Sequence, residues 1–313
     1  MDFHFPSEWA QELGCCSICP RNCYADRFSD KLGYCNTGAG FNVSSVCIHH
    51  GEEPPISGKE GICNIFFTGC NLQCIYCQNY QISNKNVDRL EKDPSLNGIL
   101  DKIISILDKG ITRVGFVSPS HCIPQMKQII DGIHSSGYKP VIVFNTNAYD
   151  KVETIRSLEG MVDVYLPDFK YMENKLADDY SDAADYPETA SSAIKEMYRQ
   201  KGAALHLDEN EAALSGIIIR HLVLPGHIEN SLNVLRHIAN EISPKLHISL
   251  MSQYYPTPQV SCHPVLNRTV TATEYKTVTD EMDNLGMENG WVQEIESTTN
   301  YQPDFNKPHP FEP

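Results

Sequence analysis

The chain has 313 residues, 41% of them hydrophobic, and a formal net charge of −15. That apolar content suffices for one large α/β domain with a smaller appendage, whereas the negative charge disfavours binding to the phosphates of nucleic acid. No apolar run approaches the ~20 residues of a membrane span. The first residues, MDFHFPSEWAQELG, lack the basic start and apolar core of a signal peptide. We therefore expect a cytoplasmic protein that binds neither nucleic acid nor membranes.

Twelve cysteines are present, and ten of them precede residue 78. Because a reducing compartment disfavours structural disulfides, this crowding indicates metal or cluster binding. Four cysteines outside the two motifs described next are interpreted as small buried hydrophobic residues. They are Cys47, Cys63, Cys122 and Cys262.

The first motif is the segment CCSICPRNCYADRFSDKLGYC, residues 15–35. Four thiolates with a closely spaced first pair fit a closed site for structural zinc or for a [4Fe-4S] cluster; unligated thiols are the third alternative. Zinc would suit a structural knuckle and a cluster would suit electron delivery, while Arg21 and Arg27 would offset thiolate charge. The predicted ligands are Cys16, Cys19, Cys23 and Cys35, although Cys15 is able to replace Cys16.

The next segment, IHHGEEPPISG at residues 48–58, contains two prolines and ends at Gly58. These residues predict a rigid loop that carries Glu52 and Glu53. Either the loop covers the mouth of the fold, or it is an acidic surface loop.

The second motif follows NIFFTG, residues 64–69, which predicts a short apolar strand. Cys70, Cys74 and Cys77 come next with the spacing CxxxCxxC. Closed zinc and iron–sulfur sites take four protein ligands. Three cysteines on one loop therefore predict a metal site with one open corner, where a substrate or cofactor binds.

After residue 78, predicted helices and strands alternate. The strands are short, rich in β-branched residues and apolar on both faces, which is typical of a parallel sheet covered by helices. Six such units predict an α/β barrel or part of one. The predicted strands are residues 64–69, 112–118, 139–145, 162–167, 216–224 and 246–252. The predicted helices are residues 95–110, 123–137, 150–160, 186–202, 229–240 and 271–286.

Polar residues follow each of the six strands. In a barrel of parallel strands, functional residues lie at the carboxyl ends of the strands, so these clusters predict a single functional rim. They are residues 68–70, 118–121, 145–147, 168–170, 225–227 and 252–254.

The sequence GCNLQCIYCQN, with Tyr76 before the last cysteine, resembles the radical S-adenosylmethionine (SAM) superfamily, and in particular its pyruvate formate-lyase-activating branch. The segments CPRNCYADR, HHGEEPPISG, VYLPDFKY, RHLVLPG and LMSQYYP resemble a related group within that branch. The resemblance implies a partial (β/α)6 TIM-like barrel at residues 62–290. A Cys-rich extension at residues 1–61 would precede it, and a tail at residues 291–313 would follow it.

In that superfamily, the open iron of a [4Fe-4S] cluster chelates SAM, and one electron cleaves the sulfonium to give a 5′-deoxyadenosyl radical that abstracts hydrogen. The activating branch takes the hydrogen from a glycine of a partner enzyme. The resemblance therefore implies a radical SAM oxidoreductase with a reductant such as flavodoxin or ferredoxin. Radical modification of another peptide or small molecule, and a non-catalytic iron–sulfur electron-transfer protein, are the alternatives.

The resemblance also implies roles for polar residues at the rim. Asp168 and Lys170 match a D-x-K motif, in which the aspartate would help to hold a monovalent cation beside the cofactor carboxylate and the lysine would contact cofactor or substrate. Asn145 replaces the aspartate of a D-T-N motif, and Gln253 stands where a histidine is expected. The Gly-Gly-Glu stretch of the superfamily is absent, and the backbone near Ser118 would accept from the cofactor's ammonium group instead.

Arg220 and His221 lie within an apolar strand. An arginine in such a place needs a carboxylate or a ligand as its partner, so Arg220 either points into the barrel toward the cofactor or forms an internal ion pair. His221 would point the other way and be structural. The implied cofactor-binding residues are Tyr76, Ser118, Asn145, Asp168, Lys170, Arg220 and Gln253, with Lys170 and Arg220 also implied in catalysis.

Overall fold

The computed structural model describes residues 7–85, 94–295, 297, 302–307 and 309–311. Within them, the strands are β1 (Val43–His49), β2 (Ile62–Phe67), β3 (Arg113–Val117), β4 (Val141–Thr146), β5 (Val164–Pro167), β6 (His206–Leu207), β7 (Ala213–Leu222), β8 (His247–Met251) and β9 (Gly290–Val292). The helices are α1 (Ser7–Gly14), α2 (Pro54–Ser57), α3 (Tyr80–Ser83), α4 (Leu96–Leu107), α5 (Ile123–Ser135), α6 (Val152–Arg156), α7 (Asn174–Ser181), α8 (Tyr186–Lys201), α9 (Ile228–His237) and α10 (Ala272–Asn284).

The strands form one sheet in the order β1-β2-β3-β4-β5-β7-β8-β9, with β6 paired to β7. Neighbours from β2 to β9 along this path are parallel, whereas β1 is antiparallel to β2. The six predicted parallel strands are all present, with ends shifted by at most three residues. The predicted α/β fold is confirmed, with the Cys-rich segment preceding the sheet.

Strand alternation divides the apolar residues between two sides of the sheet. Cys63, Ile65 and Phe67 of β2 pack in the large core beneath the helices. A second cluster joins β2, β4, β5 and β7 on the inner side, and α2 contributes one residue to it. Its buried members are Ile56, Ile62, Val143, Val164, Leu166, Ala213 and Ile218. Contacts between such distant strands mean that the sheet curves around a lumen.

The six predicted helices are present, with ends that differ from the prediction by at most four residues. The Ser95 hydroxyl caps α4 by accepting from the backbone N–H of Gly98, and Thr271 and Glu274 form a reciprocal capping box at α10. Gly110 follows α4 with φ at +95°, a conformation that favours glycine. No helix in the described part of the chain is long and apolar enough to cross a membrane.

The segment before residue 62 does not stand apart from the barrel. Strand β1 pairs His49 with Ile62 and Val43 with Phe67, so it runs toward the amino ends of the parallel strands. Helix α2 therefore lies at that end, with Ile56 fully buried in the inner cluster. The loop predicted to cover the mouth or lie on the surface instead closes the end opposite the cysteine triplet, because an antiparallel β1 delivers it there.

Candidate iron–sulfur site

The three cysteines of the triplet lie in the loop directly after β2, at the carboxyl end of the parallel strands. Gly69 begins this loop with φ at +79°, and a Cβ atom there would lie 2.4 Å from the carbonyl oxygen of Cys35. Only glycine allows both this conformation and this close approach. The triplet loop is therefore packed directly against the N-terminal cysteine segment.

Each sulfur of the triplet contacts a polar group from elsewhere in the chain. The Asn147 side-chain amide donates to Cys70 Sγ at 3.4 Å, the Ser181 hydroxyl donates to Cys74 Sγ at 3.0 Å, and Cys77 Sγ lies 3.1 Å from Ser83 Oγ. Donors of this kind stabilise thiolates and tune the potential of a bound cluster. The surroundings of the three sulfurs therefore fit cluster ligation.

The pKa shifts of the three triplet thiols also fit the binding of positively charged iron. Burial raises the pKa of the Cys77 thiol to about 11 and raises the pKa of Cys70 and Cys74 as well. The positive charge of Lys170 opposes the shift at all three. Buried thiols become thiolates when positive charge is supplied beside them, and iron supplies it.

No three histidine, cysteine or acidic side chains within the described ranges are arranged around the position of a single metal ion. In an iron–sulfur cubane each thiolate binds a different iron. Three cluster ligands on one loop therefore need not converge on one point.

A group of buried tyrosines underlies the triplet, and sequence reasoning identified only one of them. The Tyr76 hydroxyl lies 2.6 Å from that of Tyr171, which lies 2.8 Å from Ser181 Oγ. Ser181 in turn donates to Cys74. Tyr76 also packs edge-to-face on Tyr254. Tyr76 therefore connects the triplet to the core through hydroxyl groups, a relationship that CxxxCxxC spacing does not reveal.

Three of the predicted rim residues, Asn145, Asp168 and Lys170, meet Arg220 in one network of ion pairs and hydrogen bonds. Asp168 accepts from Lys170 Nζ at 2.7 Å through one oxygen and from Arg220 Nε at 2.9 Å through the other. Arg220 Nη2 donates to Asn145 Oδ1 at 2.7 Å, and its Nη1 donates to Glu52 Oε2 at 3.1 Å. Arg220 therefore forms an internal ion pair, one of the two arrangements expected for it, with Asp168 and Glu52 as carboxylate partners and the Asn145 amide as a third partner.

The charges in this network stabilise one another. Burial opposes ionisation of Asp168, but Arg220 and then Lys170 hold the pKa of its carboxyl below the ordinary value. Asp168 raises the pKa of Lys170 against the cost of burial. His221 is buried on the other side of the strand, between the Phe169 carbonyl and the Ser231 hydroxyl, at 2.7 and 2.9 Å, in agreement with a structural role.

Ser118 and Gln253 lie at the ends of their strands. Ser118 adopts φ at +51°, in the left-handed region that favours glycine, and its N–H donates to the Asn145 carbonyl at 2.8 Å. The Gln253 side chain accepts from Gln293 at 2.7 Å, and its carbonyl accepts from Gln78 at 3.2 Å. Gln253 thus connects the segment after β8 to the end of the triplet motif.

The four N-terminal cysteines lie close to one another. Cys16, Cys23 and Cys35 all influence the pKa of Cys19, which burial raises to about 12. Cys15 is exposed whereas Cys16 is buried, so Cys16 is the better placed of the two neighbours.

Two arginines connect the N-terminal cysteine segment to the barrel. Arg27 is buried, and its Nη2 donates to Thr37 and approaches Cys122 Sγ at 3.8 Å. Arg21 donates to the Asn71 carbonyl in the triplet loop at 2.8 Å and stacks on Tyr34, 3.8 Å from the ring centroid.

The interpretation of the remaining cysteines needs one correction. Cys47, Cys63 and Cys122 are buried, as expected, but Cys262 is exposed. It follows the short 3-10 helix Pro258–Val260 in a turn, where the chain crosses the surface and cannot bury a small side chain.

Comparisons with known proteins agree with this geometry. Residues 56–182 match a family model described as a 4Fe-4S single cluster domain. An uncharacterized protein of Methanocaldococcus jannaschii, MJ0674, is 28% identical over 262 residues, which cover 83% of this chain and 71% of that protein.

Among solved structures, HydG, a maturase of the [FeFe]-hydrogenase, aligns with a TM-score of 0.51 and 13% identity over 79% of this chain. The alignment spans 56% of the HydG chain, so this likeness concerns the fold. The structure of Streptococcus suis SuiB bound to S-adenosylmethionine aligns with a TM-score of 0.49 and 12% identity, over 75% of this chain and 50% of that one.

Proposed function

We propose that this chain is a radical SAM enzyme whose [4Fe-4S] cluster is held by Cys70, Cys74 and Cys77. The observation that carries the proposal is the loop after β2, where three hydrogen-bonded sulfurs lie within the segment that matches the 4Fe-4S single cluster domain. When bound, the cluster and SAM supply an electron and a carbon radical for hydrogen abstraction. A fourth cysteine on this loop is absent, which leaves one iron for SAM.

The rim network is the proposed binding site for the methionine end of SAM. Lys170 and Arg220 are the cations that would face the cofactor carboxylate, and Asp168 would position both of them through its two oxygens. The monovalent cation implied for Asp168 remains part of the proposal, but both Asp168 oxygens and Asn145 Oδ1 are engaged by Lys170 and Arg220, so its binding would require one of these contacts to open. Tyr76, Ser118 and Gln253 complete the proposed cofactor-binding set.

The N-terminal cysteines are the proposed ligands of a second [4Fe-4S] cluster, or of zinc if their sulfurs move to converge on one ion, since no three such side chains in the described ranges converge here. Their mutual electrostatic influence supports a common site, and the contact of Gly69 with the Cys35 carbonyl supports a short path to the triplet. A cluster at this position would receive electrons from flavodoxin or ferredoxin and pass them to the triplet.

Glycyl-radical installation on a partner enzyme is the proposed use of the radical, on the resemblance to the activating branch. Modification of another peptide or of a small molecule is the alternative within the same chemistry. A non-catalytic electron-transfer protein is the alternative outside it, and SAM cleavage separates the two classes.

The test is anaerobic incubation of the reconstituted protein with dithionite and SAM. An enzyme is expected to form 5′-deoxyadenosine, and the variant in which Cys70, Cys74 and Cys77 are all alanine is expected to form none. Cys262→Ala is the matched control, because it removes an exposed thiol outside both motifs. Equal product from the triple variant and the control would exclude the assignment.

A further inference from the structure

A cavity of about 370 Å³ in the lumen is lined both by residues of the segment before α2 and by residues that follow the triplet and β8. Asn79 and Gln253 line it near the triplet, and Glu53 and His49 line it near α2. Its walls include the apolar side chains of Phe66, Val117, Met251, Trp291, Val292 and Phe311. The volume lies within the range of small-molecule sites, and polar side chains such as Asn145, Ser249 and Gln293 share the lining with these apolar ones.

Two buried polar atoms at the α2 end of this cavity have no hydrogen-bond partner among the described residues. They are Glu53 Oε2 and His49 Nδ1, and each residue is 8% exposed. An unpaired buried polar atom costs about 1–3 kcal/mol, so a ligand that provides a hydrogen-bond partner to either atom would be stabilised by that contact. A ligand in the cavity that donates to the Glu53 carboxylate would satisfy the more costly of the two.

The charges at this position favour a cation. Among the described residues that line the cavity, the acidic ones are Glu52 and Glu53 and the strongly basic one is Arg220. Arg220 also forms an ion pair with Asp168. Burial raises the pKa of the Glu53 carboxyl, and nearby Glu52 adds to the shift although Arg220 opposes it. Burial lowers the pKa of His49 to about 4, so the imidazole is neutral. With both carboxylates ionised the lining carries one more negative than positive charge, and a bound cation would favour the ionised form of Glu53 over the neutral form that burial favours.

We propose that this cavity is the substrate site and that Glu53 binds a small organic cation, such as an alkylammonium group. The inference rests on the proposed function in taking the ligand to be the substrate. The ammonium group would donate one hydrogen bond to Glu53 Oε2 and a second to the neutral imidazole of His49. The apolar walls would contact the carbon chain. The reactive carbon would then lie toward Asn79 and Gln253, beside the triplet.

The test measures binding to the full-length, anaerobically reconstituted protein in the absence of SAM. We expect n-butylammonium to raise the melting temperature at millimolar concentration, and neutral butyramide and anionic butyrate to have no such effect. Glu53→Gln is expected to weaken n-butylammonium binding by about tenfold or more. Glu60→Gln, the same change at an exposed residue between α2 and β2, is the matched control and should bind n-butylammonium as the parent protein does.

A second variant guards against misfolding of Glu53→Gln. Val292 is 50% exposed on the terminal strand β9 and lines the cavity, so Val292→Trp should block binding sterically without changing the charge. The inference would be overturned if butyrate bound as tightly as n-butylammonium. It would also be overturned if Glu53→Gln and Val292→Trp both bound n-butylammonium with the affinity of the parent protein.

The source of the cation is distinguished by a second probe. Tighter binding of Nα-acetyl-lysine methylamide than of n-butylammonium would assign the ligand to a peptide, and the reverse would assign it to a free amine. Because binding is measured without SAM, selective amine binding together with absent SAM cleavage would overturn the proposed function alone. SAM cleavage without amine selectivity would overturn the present inference alone.

Discussion

Arg220 Nη1 lies 3.1 Å from Glu52 Oε2, although the two residues are separated by 168 positions in the chain. Glu52 approaches from the α2 end of the lumen, and only 8% of its side chain is exposed. It also accepts from the Asn64 amide at 2.9 Å. The pair joins the N-terminal segment to β7, the fifth of the six predicted parallel strands, through the interior of the barrel.

Neutralising Glu52 should therefore destabilise the fold. We expect Glu52→Gln to lower the free energy of unfolding by about 2–3 kcal/mol, because a buried guanidinium loses one of its two carboxylate partners. Urea unfolding at neutral pH measures the change. Asp280→Asn, in the exposed Lys276–Asp280 pair, is the control and should have little effect. Equal losses in the two variants would show that the interior pair contributes no more than a surface one.

The Gly69 contact gives a second prediction. Gly69→Ala should destabilise the protein by more than Gly160→Ala, because both glycines have φ at +79° but a Cβ atom is blocked only at Gly69. We expect Gly160→Ala to lower the free energy of unfolding by about 1 kcal/mol, which is the backbone cost alone. Gly69→Ala should lower it by clearly more. Denaturant unfolding of the two variants tests this. Similar losses would mean that the triplet loop moves away from Cys35 without cost.

The N-terminal site gives a third prediction, on metal content. If its four thiols hold a cluster, anaerobically reconstituted protein should contain about eight irons per chain; if they hold zinc, about four irons and one zinc. Cys16→Ala should remove the N-terminal metal, whereas Cys15→Ala should not, because Cys15 is exposed. Metal analysis decides this, and four irons without zinc in the parent protein would exclude both sites.

Asp168 gives a fourth prediction, on cofactor affinity. Asp168→Asn keeps the volume of the side chain but removes the charge that pairs with Lys170 and Arg220. SAM binding should weaken by about 1–3 kcal/mol, with the cluster spectrum retained, since no cluster ligand changes. Titration of the reduced cluster's EPR signal with SAM, in sodium and then in potassium buffer, measures both the affinity and the cation dependence. Unchanged affinity in the variant and no cation dependence in the parent would exclude the cation site.

His221 gives a fifth prediction, on pH. Burial lowers its pKa in the folded state to about 4 from an unfolded value of 6.5, so the unfolded chain binds the extra proton between these values. Its contribution to stability is complete above pH 6.5 and is lost as pH falls toward 4, with about 2 kcal/mol lost from pH 7 to 5. Urea unfolding of the parent and of His221→Gln at both pH values checks this. An equal pH dependence in the two proteins would assign the acid sensitivity to other groups.

The sequence predicts the features that depend on local pattern. Apolar runs with turn residues after them specify the six parallel strands, and the cysteine spacing specifies the triplet loop. The need of Arg220 for a carboxylate also follows from its apolar neighbours. Its partner Glu52 could not be identified in this way, because the pairing depends on where an antiparallel β1 delivers the following loop.

The left-handed backbone of Ser118 could not be predicted either. A serine carries no local signal for positive φ, and this conformation is set by packing at the end of β3. The hydroxyl chain from Tyr76 to Cys74 likewise depends on Ser181, which lies more than a hundred residues beyond both.

Strand β1 has a consequence for any attempt to isolate the barrel. It covers the outer edge of β2, every residue of which is buried. A fragment beginning at residue 62 would expose that apolar strand as an unpaired edge, a ready template for association with other chains. It would also leave Arg220 without Glu52. We therefore expect such a fragment to aggregate, and the N-terminal segment to be required in cis for a monomeric barrel.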